Sequence, residues 1–252
     1  MPPAGGDHRR ILGIDFFIGT AAEAIERIRN GGLLVVPAAP ALKDIGTNAA
    51  YRDALLSADL TIADSALMVM VWNRLQHDSI TRLSGLEYLR ELLDQTDVRR
   101  PGNCVWIMAS PVSAERNFKW LAEQGITVPD DCIHLAPMYG RAEISDQPLL
   151  KMIERIRPQH VILTVGGGTQ ERLGAYLKQN LSYLPAIHCI GAAIAFLSGD
   201  QVHIPALADR LYIGWLYRCI SEPKRYIPRY WAARKLVSLL IRFRDRLPAT
   251  SV

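Results

Sequence analysis

The strongest constraint on this chain is the alternation, from about residue 33 to residue 190, of short continuous apolar runs with stretches of helical period. Six runs read as strands: Leu33 to Val36, Leu60 to Ala63, Cys104 to Ala109, Cys132 to Leu135, His160 to Val165 and Ala186 to Ile190. Helical patterns separate them, at Thr47 to Ser57, Ser65 to Leu75, Leu86 to Gln95, Ser113 to Gln124, Ser145 to Ile156 and Thr169 to Gln179. Strands that are apolar throughout are buried on both faces, and helical crossovers join parallel neighbours, so the pattern predicts an α/β fold with a mostly parallel sheet of about six strands. Ahead of it, Thr20 is a possible N-cap for AAEAIERIRN, which Gly31 and Gly32 stop.

Strand signals cease after Pro205, and Leu207 to Leu247 is aromatic, basic and helical in period. The chain therefore divides into a flexible start (residues 1–9), an α/β domain (10–203) and a helical appendage (204–252). The net charge of +4 hides an asymmetry: from residue 205 on, ten basic side chains face three acidic ones. A basic end on a mildly acidic body suits an anionic partner. Leu236, Leu240, Phe243 and Leu247 recur at helical spacing, and Trp215, Tyr217, Tyr226, Tyr230 and Trp231 interleave with Arg218, Arg225, Arg229 and Arg234. An amphipathic helix on an anionic membrane surface has this pattern, and so has a helix docked on the body or at an oligomer interface. Nucleic acid is not expected, because no recognition motif is present.

With 49% hydrophobic and 21% charged residues and no apolar run near the roughly 20 residues of a membrane span, a globular protein is expected. The start MPPAGGDHRR lacks an apolar signal core, which adds the expectation of a cytosolic location. Cys104, Cys132, Cys189 and Cys219 are widely spaced, and the six histidines form no ligand motif, so neither a disulfide framework nor a metal site is expected.

Three places suit chemistry. Asp64 ends a strand and precedes a helix, where open α/β sheets bind ligands; a helix cap would look the same. Gly166, Gly167, Gly168, Thr169, Gln170 and Glu171 pass from strand to helix, as a phosphate-binding turn or a plain tight turn does. The dinucleotide fingerprint and the P-loop are both unmatched, which disfavours a nucleotide-dependent oxidoreductase. Arg82 follows in a loop, either gripping a diphosphate or standing at the surface. Gly191 opens a small-residue stretch after the last strand.

The segments ADLTIADS, RLSGLEYL, VGGGTQERL, IGAAIAFLSGD and WLYRCISEPKRYIPRY, in this order, resemble the WecG/TagA/CpsF glycosyltransferases, glycosyltransferase family 26. The resemblance runs from about Ile11 to Tyr230. It implies a Rossmann-like domain of the GT-E type whose appendage touches the membrane and completes the active site. It further implies an inverting enzyme, without a metal or other cofactor, that moves a sugar from a UDP-sugar donor to a polyprenyl-diphosphate-linked saccharide. Cell-surface polysaccharides are made in this way at the inner face of the cytoplasmic membrane, and a homo-oligomer is compatible with it. Asp64 falls on the family's general base, Arg82 and Gly85 on its RxxG loop, and Gln170 and Glu171 on its nucleotide-sugar element. Arg218, Arg225 and Arg229 fall on arginines implied to reach the diphosphate. Pro37 and Ala39 replace a Thr and an Asn, Ser65 a Gly, Thr169 a Lys and Gly214 a Glu; Ile194 and Ala195 stand where Phe and Asp are common. The alternative is a non-catalytic member that binds a nucleotide-sugar or lipid diphosphate within an assembly complex.

Overall fold

The computed structural model describes residues 6–140, 144–199 and 214–249; the expected domain boundary near 200 to 206 lies outside them. A central sheet of eight strands is flanked by helices on both faces. Its strands are β1 His8–Ile11, β2 Ile14–Phe17, β3 Gly32–Val35, β4 Leu60–Ile62, β5 Cys104–Met108, β6 Ile133–Leu135, β7 His160–Leu163 and β8 Ala186–Cys189. The order is β1-β2-β4-β3-β8-β7-β5-β6, antiparallel at the β1-β2 hairpin and parallel elsewhere.

The hairpin is the departure from the six-strand expectation. Its strands have four residues each, and His8, Arg9, Arg10 and Asp15 break their apolar character. Such edge strands carry little hydrophobic signal, because only one face is buried. The segment expected to be flexible thus already contributes its last two residues to β1. At the other edge, β6 follows a 3-10 turn, Asp130–Cys132.

On one face lie α2 Ala39–Leu42, α3 Ala49–Leu56, α4 Ala66–Gln76, α7 Gln147–Ile156 and α8 Thr169–Asn180. Opposite them are α1 Ala21–Ile28, α5 Gly85–Leu93, α6 Pro111–Glu123 and α9 Ala193–Leu197. Alternate strand residues feed the two cores: Leu33 and Val35 one, Leu34 the other. Thr20 caps α1 as expected, in a reciprocal capping box with Glu23, worth about 1 kcal/mol. At the other end of α1, Gly31 has φ of +109°, and a Cβ there would strike the Leu184 carbonyl oxygen. Only glycine fits that close approach.

The appendage comprises α10 Gly214–Ser221, α11 Pro223–Ala233 and α12 Lys235–Phe243. Helix α11 packs against α2 and α12 against α4. Leu236 and Leu240 are fully buried, with Phe243 packed beside them, so the apolar stripe serves docking on the body. Beyond α12 the chain is fastened to the β1-β2 turn, where Leu12 and Gly13 donate their N–H groups to the carbonyls of Arg244 and Asp245 at 2.7 and 2.9 Å. A Cβ on Gly13 would overlap Leu247. Exposed apolar side chains of the appendage include Leu216, Ile220, Ile227 and Trp231 on α10 and α11 and Ile241 on α12, with the Arg234 guanidinium 4.1 Å from the Trp231 ring.

Candidate active site

Parallel order places the carboxyl ends of β4, β3, β8 and β7 side by side, and these four ends carry Asp64, Pro37, Gly191 and Gly166. The crevice along such an edge is where open α/β sheets bind ligands.

At the end of β4, Asp64 is not the cap of the following helix. Ser65 takes that position: its hydroxyl accepts the Met68 N–H at 3.2 Å, and it is buried. Relieved of capping, the Asp64 carboxylate turns to the loop that precedes α5. Arg82 donates from Nε to the Asp64 carbonyl oxygen at 2.6 Å and from Nη2 to Oδ1 at 3.0 Å. The Gly85 N–H, the first of α5, donates to the same Oδ1 at 3.1 Å. The N-terminus of α5 therefore points its positive end at the acid, while Ser84 caps that helix by accepting the Glu87 N–H. Both carboxylate hydrogen bonds fall on Oδ1, and among the described residues none reaches Oδ2. A Cβ on Gly85 would come within 3.1 Å of the Val36 side chain, a tight contact. Asp64 and Arg82 are each only partly exposed, which strengthens their attraction over that of a surface pair.

The glycine turn is built otherwise. Gly168 adopts φ of +88°, and its N–H donates to Glu171 Oε2 at 2.6 Å. The N–H groups of Thr169 and Gln170 both donate to the Gly166 carbonyl, at 3.2 and 3.1 Å. The donors that would cradle a phosphate are thus engaged within the turn. Glu171 is wholly buried; burial pushes its carboxyl up to about 7 against the opposing hydrogen bonds from Gly168 and Gln170. Gln170 is buried too, donates from Nε2 to Glu171 Oε1 at 3.3 Å, and leaves its own Oε1 without a partner. Its amide lies near Gly191, whose φ of +59° favours glycine. Gly191 in turn follows Ile190, whose carbonyl faces Gly85, so the two ends of the crevice are connected through β8.

Pro37 and Ala39 line the end of β3 as buried apolar residues, Ala39 opening α2 with Pro40 in its first turn. Of the appendage arginines, the side chains of Arg218 and Arg225 lie outside the described residues, and Arg229 is exposed with its guanidinium 5.9 Å from the Tyr226 ring. No group of three or more His, Cys, Asp or Glu suitable for a metal occurs among the described residues.

Two features of this edge were not singled out from sequence. One is the Ser84 cap that aims α5 at Asp64; the SGLE tetrapeptide carries the signal of a cap followed three residues later by Glu. The other is Asp44, Asn48 and Tyr51, which border the glycine turn and read locally as one amphipathic helix.

An acid held by an arginine and a helix N-terminus, with one oxygen uncommitted, is chemically able to accept a proton. The profile of the glycosyl transferase WecG/TagA/CpsF family matches residues 9–250. The chain belongs to this family. It is similar to N-acetylglucosaminyldiphosphoundecaprenol N-acetyl-beta-D-mannosaminyltransferases of Staphylococcus aureus, among them those of strains MRSA252 and MW2, at 23% identity over 223 residues, 85% of each chain. As a member of the WecG/TagA/CpsF glycosyltransferases it is an enzyme of glycosyl transfer.

Proposed function

We propose that this glycosyltransferase moves a sugar from a UDP-sugar to a saccharide linked to a polyprenyl diphosphate, with inversion at the anomeric carbon. The observation that carries the reading is the Asp64 carboxylate held through Oδ1 alone. Oδ2 accepts the proton of the acceptor hydroxyl while that oxygen attacks the anomeric carbon and the bond to UDP breaks. Positioned proton transfer of this kind contributes roughly 10² to 10⁴ in rate.

Charge accumulates on the departing diphosphate, and preorganised cations and helix N-termini are the economical answer to it. Helix α11 packs on α2, which follows the end of β3, and this supports assigning its Arg225 and Arg229, with Arg218, to the diphosphate. Arg82 orients the base. The relatives' acceptor, an N-acetylglucosaminyl diphosphoundecaprenol, supports an isoprenoid-linked acceptor here.

No helix among the described residues is long and apolar enough to cross a membrane. Leu216, Ile220, Ile227 and Trp231 supply an apolar face on the basic appendage, which fits contact with the inner leaflet where such an acceptor resides. In this reading the enzyme works as a peripheral protein in cell-surface polysaccharide synthesis.

The test is transfer by the full chain, in anionic vesicles carrying a polyprenyl-diphosphate-linked N-acetylglucosamine, from a panel of UDP-sugars. Product with inverted anomeric configuration is expected from one of them. Binding of a UDP-sugar without any transfer would replace the enzyme by a nucleotide-sugar-binding subunit.

A further inference from the structure

Between α3 and the N-terminal end of α8 lies a cleft of about 200 Å³, bordered by Asp44, Asn48, Tyr51, Gly168, Thr169 and Arg172. Its polar groups are incompletely satisfied. The Tyr51 hydroxyl is buried and has no hydrogen-bond partner. Asn48 uses Oδ1 to cap α3 by accepting the Tyr51 N–H at 3.0 Å, and its amide NH₂ has no partner among the described residues. Asp44 meets Lys43 Nζ at 2.5 Å and keeps its carboxylate partly open to solvent. Arg172 braces the wall, donating to the carbonyls of Gly168 and Gly140 at 3.1 and 2.9 Å. Buried polar groups in native proteins are almost always paired, so an orphaned phenol beside a cleft points to a partner that arrives with a ligand.

The chemistry of the lining selects the ligand class. A phosphate is opposed by the Asp44 carboxylate and finds the N–H groups of Gly168, Thr169 and Gln170 already engaged. An apolar group would leave Tyr51 and Asn48 unpaired. A sugar hydroxyl donates and accepts at once, and so satisfies a carboxylate, an amide and a phenol together. Pro37 and Ala39 offer nothing polar at the end of β3, whereas Asp44 and Asn48, further along the same connection, border the cleft.

We propose that this cleft binds the hydroxyl groups of the transferred sugar, Asp44 accepting from them and Asn48 and Tyr51 donating to them, and thereby sets donor selectivity. This rests on the nucleotide-sugar reading above. The experiment is calorimetric titration of the full chain with UDP, UDP-N-acetylmannosamine, UDP-N-acetylglucosamine and UDP-glucose. The unmodified protein is expected to bind one UDP-sugar more tightly than UDP. Asp44→Asn weakens that UDP-sugar roughly tenfold or more and leaves UDP unchanged, as expected when a hydrogen bond to a charged group is lost. Tyr51→Phe also weakens it, yet raises the melting temperature of the ligand-free protein, because an unpaired buried hydroxyl is removed. Unaltered UDP-sugar affinity in both variants, or an equal loss for UDP, overturns the assignment while leaving the glycosyltransferase reading intact. Failure of the unmodified protein to bind any UDP-sugar overturns both.

Discussion

The Asp64 corner and the glycine turn end neighbouring parts of one sheet, yet they are finished in opposite ways. At Asp64 the ionic groups are matched: Arg82 and the Gly85 N–H converge on one carboxylate oxygen, and no hydrogen bond from the described residues reaches the other. At the turn the N–H groups are consumed internally, a carboxyl is buried beside Gln170 and Tyr51, and polar atoms stay unpaired. Under the proposed function, the first corner is prepared for proton transfer before substrate arrives, whereas the second is completed by what binds to it.

The sharpest way to break the comparison is Asp64→Asn. It keeps the shape and removes the basic oxygen, so transfer to the lipid-linked acceptor should fall by roughly 10² to 10⁴, read as kcat; an unchanged rate would remove Asp64 as the base.

The glycine turn is tested through pH. Glu171 holds its proton up to about 7 when folded against an ordinary value of 4.5. The folded state therefore binds more protons than the unfolded state in that window, and this group withdraws stability as pH rises from about 4.5 to 7, on the order of 3 kcal/mol. Glu171→Gln should gain on the unmodified protein by that amount between those limits in urea titrations, and parallel profiles would contradict the assignment. The core adds an opposing effect. His188 accepts from or donates to Tyr88 and His160 at 2.8 and 3.1 Å, and burial holds it well below its usual range. A histidine with a depressed folded pKa costs stability as pH falls below about 6.5, so the difference between the two proteins, and not either profile alone, isolates Glu171.

Arg82→Lys keeps the charge but cannot reproduce two hydrogen bonds from one planar group; kcat should drop roughly tenfold, in line with the loss of one net hydrogen bond. The smallest effect belongs to Ser65→Ala, which removes the α4 cap and should lower unfolding free energy by about 1 kcal/mol. An unfolding free energy unchanged in Ser65→Ala would remove Ser65 as the cap of α4.

Much of the architecture was legible because burial on both faces leaves an unmistakable apolar run. The strands at Leu33, Leu60, Cys104, His160 and Ala186 all appear in the sheet. The hairpin at His8 to Phe17 escaped, because its edge strands are half polar and short. The apolar stripe of Leu236 and Leu240 was visible as a stripe, but periodicity does not say whether a bilayer or the protein's own body covers it. Asp64 and Arg82 were each visible singly. Their pairing across a whole helix, and the release of Asp64 by the Ser65 cap, needed the fold.

What the sequence determined alone was the class of sheet, the basic appendage and the order of motifs that marks the family, since each is written in local pattern and composition. Tertiary structure decided which oxygen of Asp64 is held, which face of the appendage stays exposed, and that Asp44, Asn48 and Tyr51 border the same space as Gly168. Those are relations between segments far apart in the chain, set by packing and hydrogen bonding, and no local signal encodes them.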